Sequence, residues 1–212
     1  MENRLPTVDW NRIMSSPFGK VLKMKNKVAF SSQICHKVLF KQLKTNKKWE
    51  TWYEVNGQVL RFSLKEFCII TGLKCGPIPP GFYRNKKRKE QNKLIENWFG
   101  STAGPRMKLK DLYKKFIEHR ELDNFKMKLG LLLIVEGVLC GVDKGRLVKC
   151  DHLKLLGNME KFWKFPWGRV AYMELHRSLN ETLEHRMSTI DGCLNQDRVP
   201  YVLQGMLVVF QV

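Results

Sequence analysis

The chain has 212 residues, 43% of them hydrophobic and 27% charged, a composition that excludes a disordered polypeptide and suits one compact core. Lys and Arg number 38 against 20 Asp and Glu, a net charge of +18, and a surface that basic calls for a polyanionic partner, with nucleic acid the commonest. The apolar runs Leu129 to Val135 and Gly137 to Val142 flank Glu136 and fall short of the roughly 20 apolar residues a bilayer-spanning helix needs; MENRLPTVDW lacks the apolar stretch of a signal peptide, so neither a membrane nor a secreted protein is expected.

The charge is concentrated. Residues 1–50 hold 11 basic and 3 acidic residues, and the stretch 84–93 holds 6 basic residues against Glu90. Residues 170–212 reverse the sign, with 3 basic and 5 acidic residues. A polyanion-binding face is therefore expected from the N-terminal two thirds.

In chain order, Lys20 to Phe30 comes first. Lysine alternates with mostly apolar residues from Leu22 to Val28, the period-two pattern of a half-buried strand with Lys23, Lys25 and Lys27 on one face. Same-face lysines would stand about 6.6 Å apart, near the spacing of phosphates; an edge strand protected by lysine has the same pattern. Ser31 to Leu39 then reads as a capped helix, followed by a basic loop with Lys44, Lys47 and Lys48. Trp49 to Val55 and Gln58 to Phe62 flank Asn56-Gly57, the strongest short-range hairpin signal, because both turn residues need positive φ. Ser63-Leu-Lys-Glu66 is a capping box that opens a helix from Leu64 to Thr71, and Gly72 closes it.

Residues 76–81, with three prolines, form a loop. The run Arg84-Asn-Lys86-Lys87-Arg88-Lys89 follows, readable as a phosphate-gripping loop, a nuclear import signal or a solvated segment. Leu109, Leu112, Tyr113, Phe116 and Ile117 mark one face of an amphipathic helix. Leu129 to Val142 is the most apolar segment and is expected as the central buried helix, with Glu136 on an exposed stripe or paired with a lysine. The aromatic run Phe162 to Trp167 leads into a last helix from about Arg169 to Leu183. The expected fold is α+β: one largely helical domain over 1–212 with one or two small antiparallel β elements, the hairpin at about 49–62.

No catalytic pattern stands out: the five histidines are scattered, and no nucleophile elbow, Walker loop or dinucleotide fingerprint is present. Without a secretion signal the six cysteines are expected as reduced thiols, several packed as small hydrophobes. Cys150-Asp151-His152 is a tight Cys/His cluster; structural zinc sites need four ligands in short paired spacings, so no metal or other cofactor is assigned. Trp52, Tyr53, Phe62, Trp163 and Trp167 are aromatic candidates for base stacking, and burial in the core is the expected role for most of them.

The block WYEVNGQVLRFSLKEFCIITGLKCGP (Trp52 to Pro77) resembles a plant domain of unknown function common in transposon-associated proteins, whose pattern has the form NGxxxRFSLxEFxxxTGLxCG. LLLIVEGVLCG (Leu131 to Gly141), KFPWGRVAY (Lys164 to Tyr172) and the segment Tyr201 to Val212 are similar to its later blocks, in the same order. That family occurs beside SUMO-protease domains of Mutator-type elements, and in the VANC anti-silencing proteins of VANDAL transposons, which bind short motifs in their own element and cause loss of DNA methylation there. With its basic charge and no protease pattern, the chain is more similar to the second group. The resemblance implies a non-enzymatic, sequence-specific double-stranded DNA-binding domain acting in the nucleus. It also implies possible chromatin or methylation-machinery partners reached through a C-terminal region beyond Val212. The expected contact residues are Lys20, Lys23, Lys25, Lys27, Lys44, Lys47, Lys48, Arg84, Lys86, Lys87, Arg88 and Lys89. The alternatives are a protein-interaction or RNA-binding module, or an accessory domain of a transposon-encoded SUMO protease.

Overall fold

The structure, a computed structural model, describes residues 4–27, 31–83, 95–100, 107–141 and 145–190. Two helices, α1 (Thr7–Ser15) and α2 (Pro17–Lys27), pack against each other and precede α3 (Ser32–Leu39). A three-stranded antiparallel sheet follows in the order β1 (Gln42–Leu43), β2 (Glu50–Val55), β3 (Gln58–Ser63). Then come α4 (Leu64–Thr71), a helical turn over 95–99, α5 (Leu109–Glu118), α6 (Asn124–Leu133), a π-helix (Ile134–Leu139), α7 (Cys150–Leu155), α8 (Met159–Lys164) and the long α9 (Trp167–Ile190). The fold is α+β, mostly helical.

The hairpin forms where the Asn-Gly turn places it. Asn56 and Gly57 both have positive φ, 52° and 76°, and Val55 pairs with Gln58 across them. β1 adds a third strand, pairing Gln42 with Tyr53 and Leu43 with Trp52; two residues of alternating pattern are too few to signal it. Ser63 ends β3 and caps α4: its hydroxyl accepts from the Lys65 amide, while the Glu66 carboxylate accepts from the Ser63 amide at 2.8 Å. Arg61 closes on the same carboxylate at 2.9 Å. Burial raises the Glu66 pKa, but the hydrogen bonds from Ser63 and Arg61 outweigh it and hold the group down at about 2. Gly72, in the left-handed region at φ 69°, ends α4.

The central segment is buried as its composition demands. Leu129, Leu131, Leu132, Ile134 and Val135 are fully enclosed, and α9 contributes Val170, Tyr172, Leu175 and Leu179 to the same core. Tyr172 ties the sheet to this core: its ring packs against Phe62 and Phe67, and its hydroxyl donates to the Trp49 carbonyl at 2.7 Å.

Four expectations require correction. Residues 17–27 are helix, not strand. Ser16 stands at the cap position, its hydroxyl accepting from the Phe18 amide at 3.2 Å, and Pro17 is the first helical residue, where its missing N–H costs nothing. Phe18 and Val21 are buried and Leu22 and Met24 partly so, so the helical face won over a short alternation. Second, Cys68 and Cys75 form a disulfide, because the chain reversal at Gly72 brings their Cα atoms to 6.2 Å. Third, the buried segment starts as an α-helix at Asn124, capped by Asp123, and continues as a π-helix to Leu139. Fourth, Glu136 lies on no exposed stripe: it is 1% exposed, and among the described residues its side-chain partner is His152 and not a lysine.

Candidate nucleic-acid interface

The expected contact residues fall on separate elements. Lys20 and Lys23 are exposed on α2, with the Lys20 ammonium 3.4 Å from the Ile69 carbonyl near the end of α4. In a helix, positions 20, 23 and 27 recur on one side and 25 falls across from them, so the even row of lysines expected from a strand is not formed; Lys25 and Lys27 lie in the last turn of α2. Lys44, Lys47 and Lys48 are exposed on the loop between β1 and β2. The Lys48 ammonium sits 5.7 Å from the Trp49 ring, and that ring is 47% exposed. Arg84, Lys86, Lys87, Arg88 and Lys89 lie outside the described residues, as does the block from Tyr201 to Val212.

The aromatic residues named for stacking are mostly structural. Tyr53 and Trp167 are buried, and the Trp167 indole donates to the Phe162 carbonyl at 2.8 Å. Phe62 packs on Tyr172, and Trp52 donates to Glu50. Trp49 is the exposed ring beside two lysines. It was missed because nothing in a sequence tells which aromatic of a hairpin faces outward until the register is set.

A second basic region emerges only in three dimensions. The α1–α2 corner, Leu73 and Lys74, and the α8–α9 corner line a half-open pocket of about 270 Å³, with Pro17, Phe18, Trp163 and Phe165 among its walls. Arg12 places its guanidinium 5.6 Å from the Trp163 ring, and the Lys74 ammonium is 3.4 Å from the Trp163 carbonyl. Arg169 donates to the carbonyls of Cys75 and Gly76, at 3.1 and 2.6 Å. Gly168 donates its amide to the Lys74 carbonyl at 2.8 Å. A Cβ there would stand 2.5 Å from the Cys75 sulfur, a distance that only glycine avoids. Thus Gly-Leu-Lys-Cys-Gly (72–76) and Pro-Trp-Gly-Arg (166–169), distant in sequence, are packed together backbone against backbone.

These cations belong to those without a carboxylate partner among the described residues. Among the described residues the ion pairs with carboxylates engage Arg61, Lys114, Lys149, Lys154, Lys164 and Arg177. Arg12, Lys20, Lys23, Lys44, Lys47, Lys48 and Lys74 are not among them. On α9, by contrast, Arg177 bridges Glu174 and Glu181.

The model of the domain of unknown function DUF1985 matches residues 39–178. The chain belongs to the DUF1985 family. The DUF1985 match contains the first three blocks of the resemblance and both sides of the 72–76/166–169 contact, and it begins after α1 and α2, which carry Arg12, Lys20 and Lys23. No curated protein and no solved structure matches the chain.

Proposed function

We propose that this DUF1985 chain is a non-enzymatic, sequence-specific double-stranded DNA-binding module that acts in the nucleus as part of a transposon-encoded anti-silencing factor of the VANC type. The observation that carries the reading is the uneven charge: +18 overall, with exposed cations on α2, the β1–β2 loop and the rim at Lys74 that no described carboxylate neutralises. Such cations supply affinity by displacing counterions from phosphates, and a few polar or arginine side chains in a groove supply specificity. Trp49, exposed beside Lys47 and Lys48, adds a ring for contact with sugar or base.

The run Arg84 to Lys89, outside the described residues, is assigned to DNA contact by its composition alone. Lysines there grip phosphates, since an ammonium group is a point charge without a fork. Arg84 and Arg88 are the candidates for bidentate contact with guanine.

Selection of bound sequences from a random duplex pool tests the function, followed by a mobility shift comparing the selected duplex with a scrambled one. An enriched motif bound in preference to its scramble is expected. A pool that stays random, with both duplexes bound alike, would overturn sequence-specific recognition; tighter binding to RNA would favour an RNA-binding module instead. Changing Lys86, Lys87 and Lys89 to Ala should weaken all duplexes nearly equally, whereas loss of Arg84 or Arg88 should cost about 1–3 kcal/mol on the preferred sequence and little elsewhere.

A further inference from the structure

A cluster of three metal-ligating side chains lies in the core, away from the basic surface. Glu136 and Cys140 come from the π-helix and the residue that ends it, and His152 from α7. All three are buried, at 1%, 2% and 0% exposure. One ligand atom from each lies within 4.8 Å of the other two. His152 Nδ1 is 2.6 Å from Glu136 Oε1, which also accepts the Lys149 amide at 3.3 Å. The second oxygen, Glu136 Oε2, has no hydrogen-bond partner among the described residues. A carboxylate oxygen left without a donor in an apolar interior is costly, and here it stands beside a thiol and an imidazole.

We propose that Glu136, Cys140 and His152 bind one divalent transition-metal ion, with zinc the best match to this ligand set. Carboxylate oxygen, thiolate sulfur and imidazole nitrogen are the donors zinc takes. A carboxylate and a thiolate together cancel the charge of a 2+ ion, so the loaded cluster is neutral in a dry core. Binding releases the Cys140 thiol proton to solvent, while the single proton of the neutral His152 imidazole is carried on Nε2 so that Nδ1 can face the ion. The other ring nitrogen, Nε2, lies 3.0 Å from the Tyr83 hydroxyl. With Nδ1 turned to the ion, Nε2–H donates to that oxygen, the outer contact that fixes a metal-binding histidine in its tautomer and orientation.

The backbone is consistent with such a site. The Cys140 amide donates to the Val135 carbonyl across five residues at 2.9 Å, and π-helical turns are rare and frequent at functional sites. Ligands of a tetrahedral ion with bonds of 2.0–2.3 Å stand about 3.3–3.7 Å apart, so the cluster needs shifts of about an ångström. Glu136 binding through both oxygens, or a water, completes the coordination. Sequence spacing pairs His152 with Cys150; the fold pairs it with Cys140, twelve residues away.

The test titrates the full chain, purified in chelator, with Co²⁺ and then Zn²⁺. Saturation at one equivalent is expected, with the visible bands of tetrahedral cobalt and a thiolate-to-cobalt charge-transfer band. Zn²⁺ should bleach both and raise the melting temperature. Cys140→Ser should remove the charge-transfer band, and Glu136→Gln should weaken Zn²⁺ at least tenfold. No thiolate band at one equivalent in the unmodified chain, a step that needs no variant, would overturn the site. Where Cys140→Ser does not fold, Cys35→Ser, Cys150→Ser and Cys193→Ser decide: the band surviving all three assigns it to Cys140, and its loss in any one overturns the assignment.

Discussion

Lys126 and Lys23 are both lysines on helices, and the molecule uses them in opposite ways. Lys126, near the start of α6, is 3% exposed. Its ammonium donates to the carbonyls of Phe116 and His119 at the end of α5 and lies 4.6 Å from the Phe116 ring. It satisfies carbonyls that the last turn of a helix leaves open, and burial lowers its pKa. Lys23 stands in solvent on α2 and engages no carboxylate among the described residues. The contrast teaches that net charge overstates the cations a polyanion can reach. Those at the α5–α6 corner, and those paired on α9, belong to the fold; those on α2, the β1–β2 loop and the Lys74 rim are available.

The strongest test of that division is salt. If available cations contact six to ten phosphates, affinity for duplex DNA should fall by about 10³–10⁵ between 50 and 200 mM salt, measured by fluorescence anisotropy. An affinity that barely changed would break the comparison, because exposed lysines would then do nothing that buried ones do not.

The interior side is next. Leu132 and Leu139 are buried at 0% and 1% exposure, and changing either to Ala should cost about 2–5 kcal/mol in denaturant unfolding. Unaltered unfolding of both variants would mean that the segment 124–139 is not the core.

Lysine substitutions sharpen the contrast directly. Lys126→Met leaves a buried carbonyl, that of Phe116, and a part-buried one, that of His119, without their donor and should cost about 1–3 kcal/mol for each one orphaned. Lys23→Ala should change stability by no more than about 0.5 kcal/mol yet weaken DNA binding and lower the salt slope by about one. Equal stability losses for the two would erase the distinction.

The smallest effect concerns Glu66, a surface charge tied to the fold by its cap. Its folded pKa, about 2, lies below the ordinary value of 4.5, so its contribution is present above that ordinary value and is lost as pH falls from about 4.5 towards 2. Glu66→Gln should remove this dependence, so that the stability gap between wild type and variant narrows over that window in urea unfolding at stepped pH.

The sequence by itself determined the elements whose signals are local. The Asn56-Gly57 turn, the Ser63 capping box, the Gly72 stop and the amphipathic face of α5 each need only a few neighbouring residues, and each is found in place. The apolar block from Leu129 to Leu139 is buried as its composition requires. Where two local signals competed, the outcome was decided by packing. The alternation around Lys23 fits a strand, but the Ser16-Pro17 helix start and the burial of Phe18 and Val21 against the rest of the core prevail. Only the tertiary structure decided what depends on distant chain segments meeting: the contact of 72–76 with 166–169, the pocket under Arg12 and Lys74, the exposure of Trp49, and the Glu136–Cys140–His152 cluster. Side chains brought together by a reversal at Gly72 or by the fold of α7 onto the π-helix carry no periodicity along the chain, and a sequence expresses such neighbours only through the fold that places them.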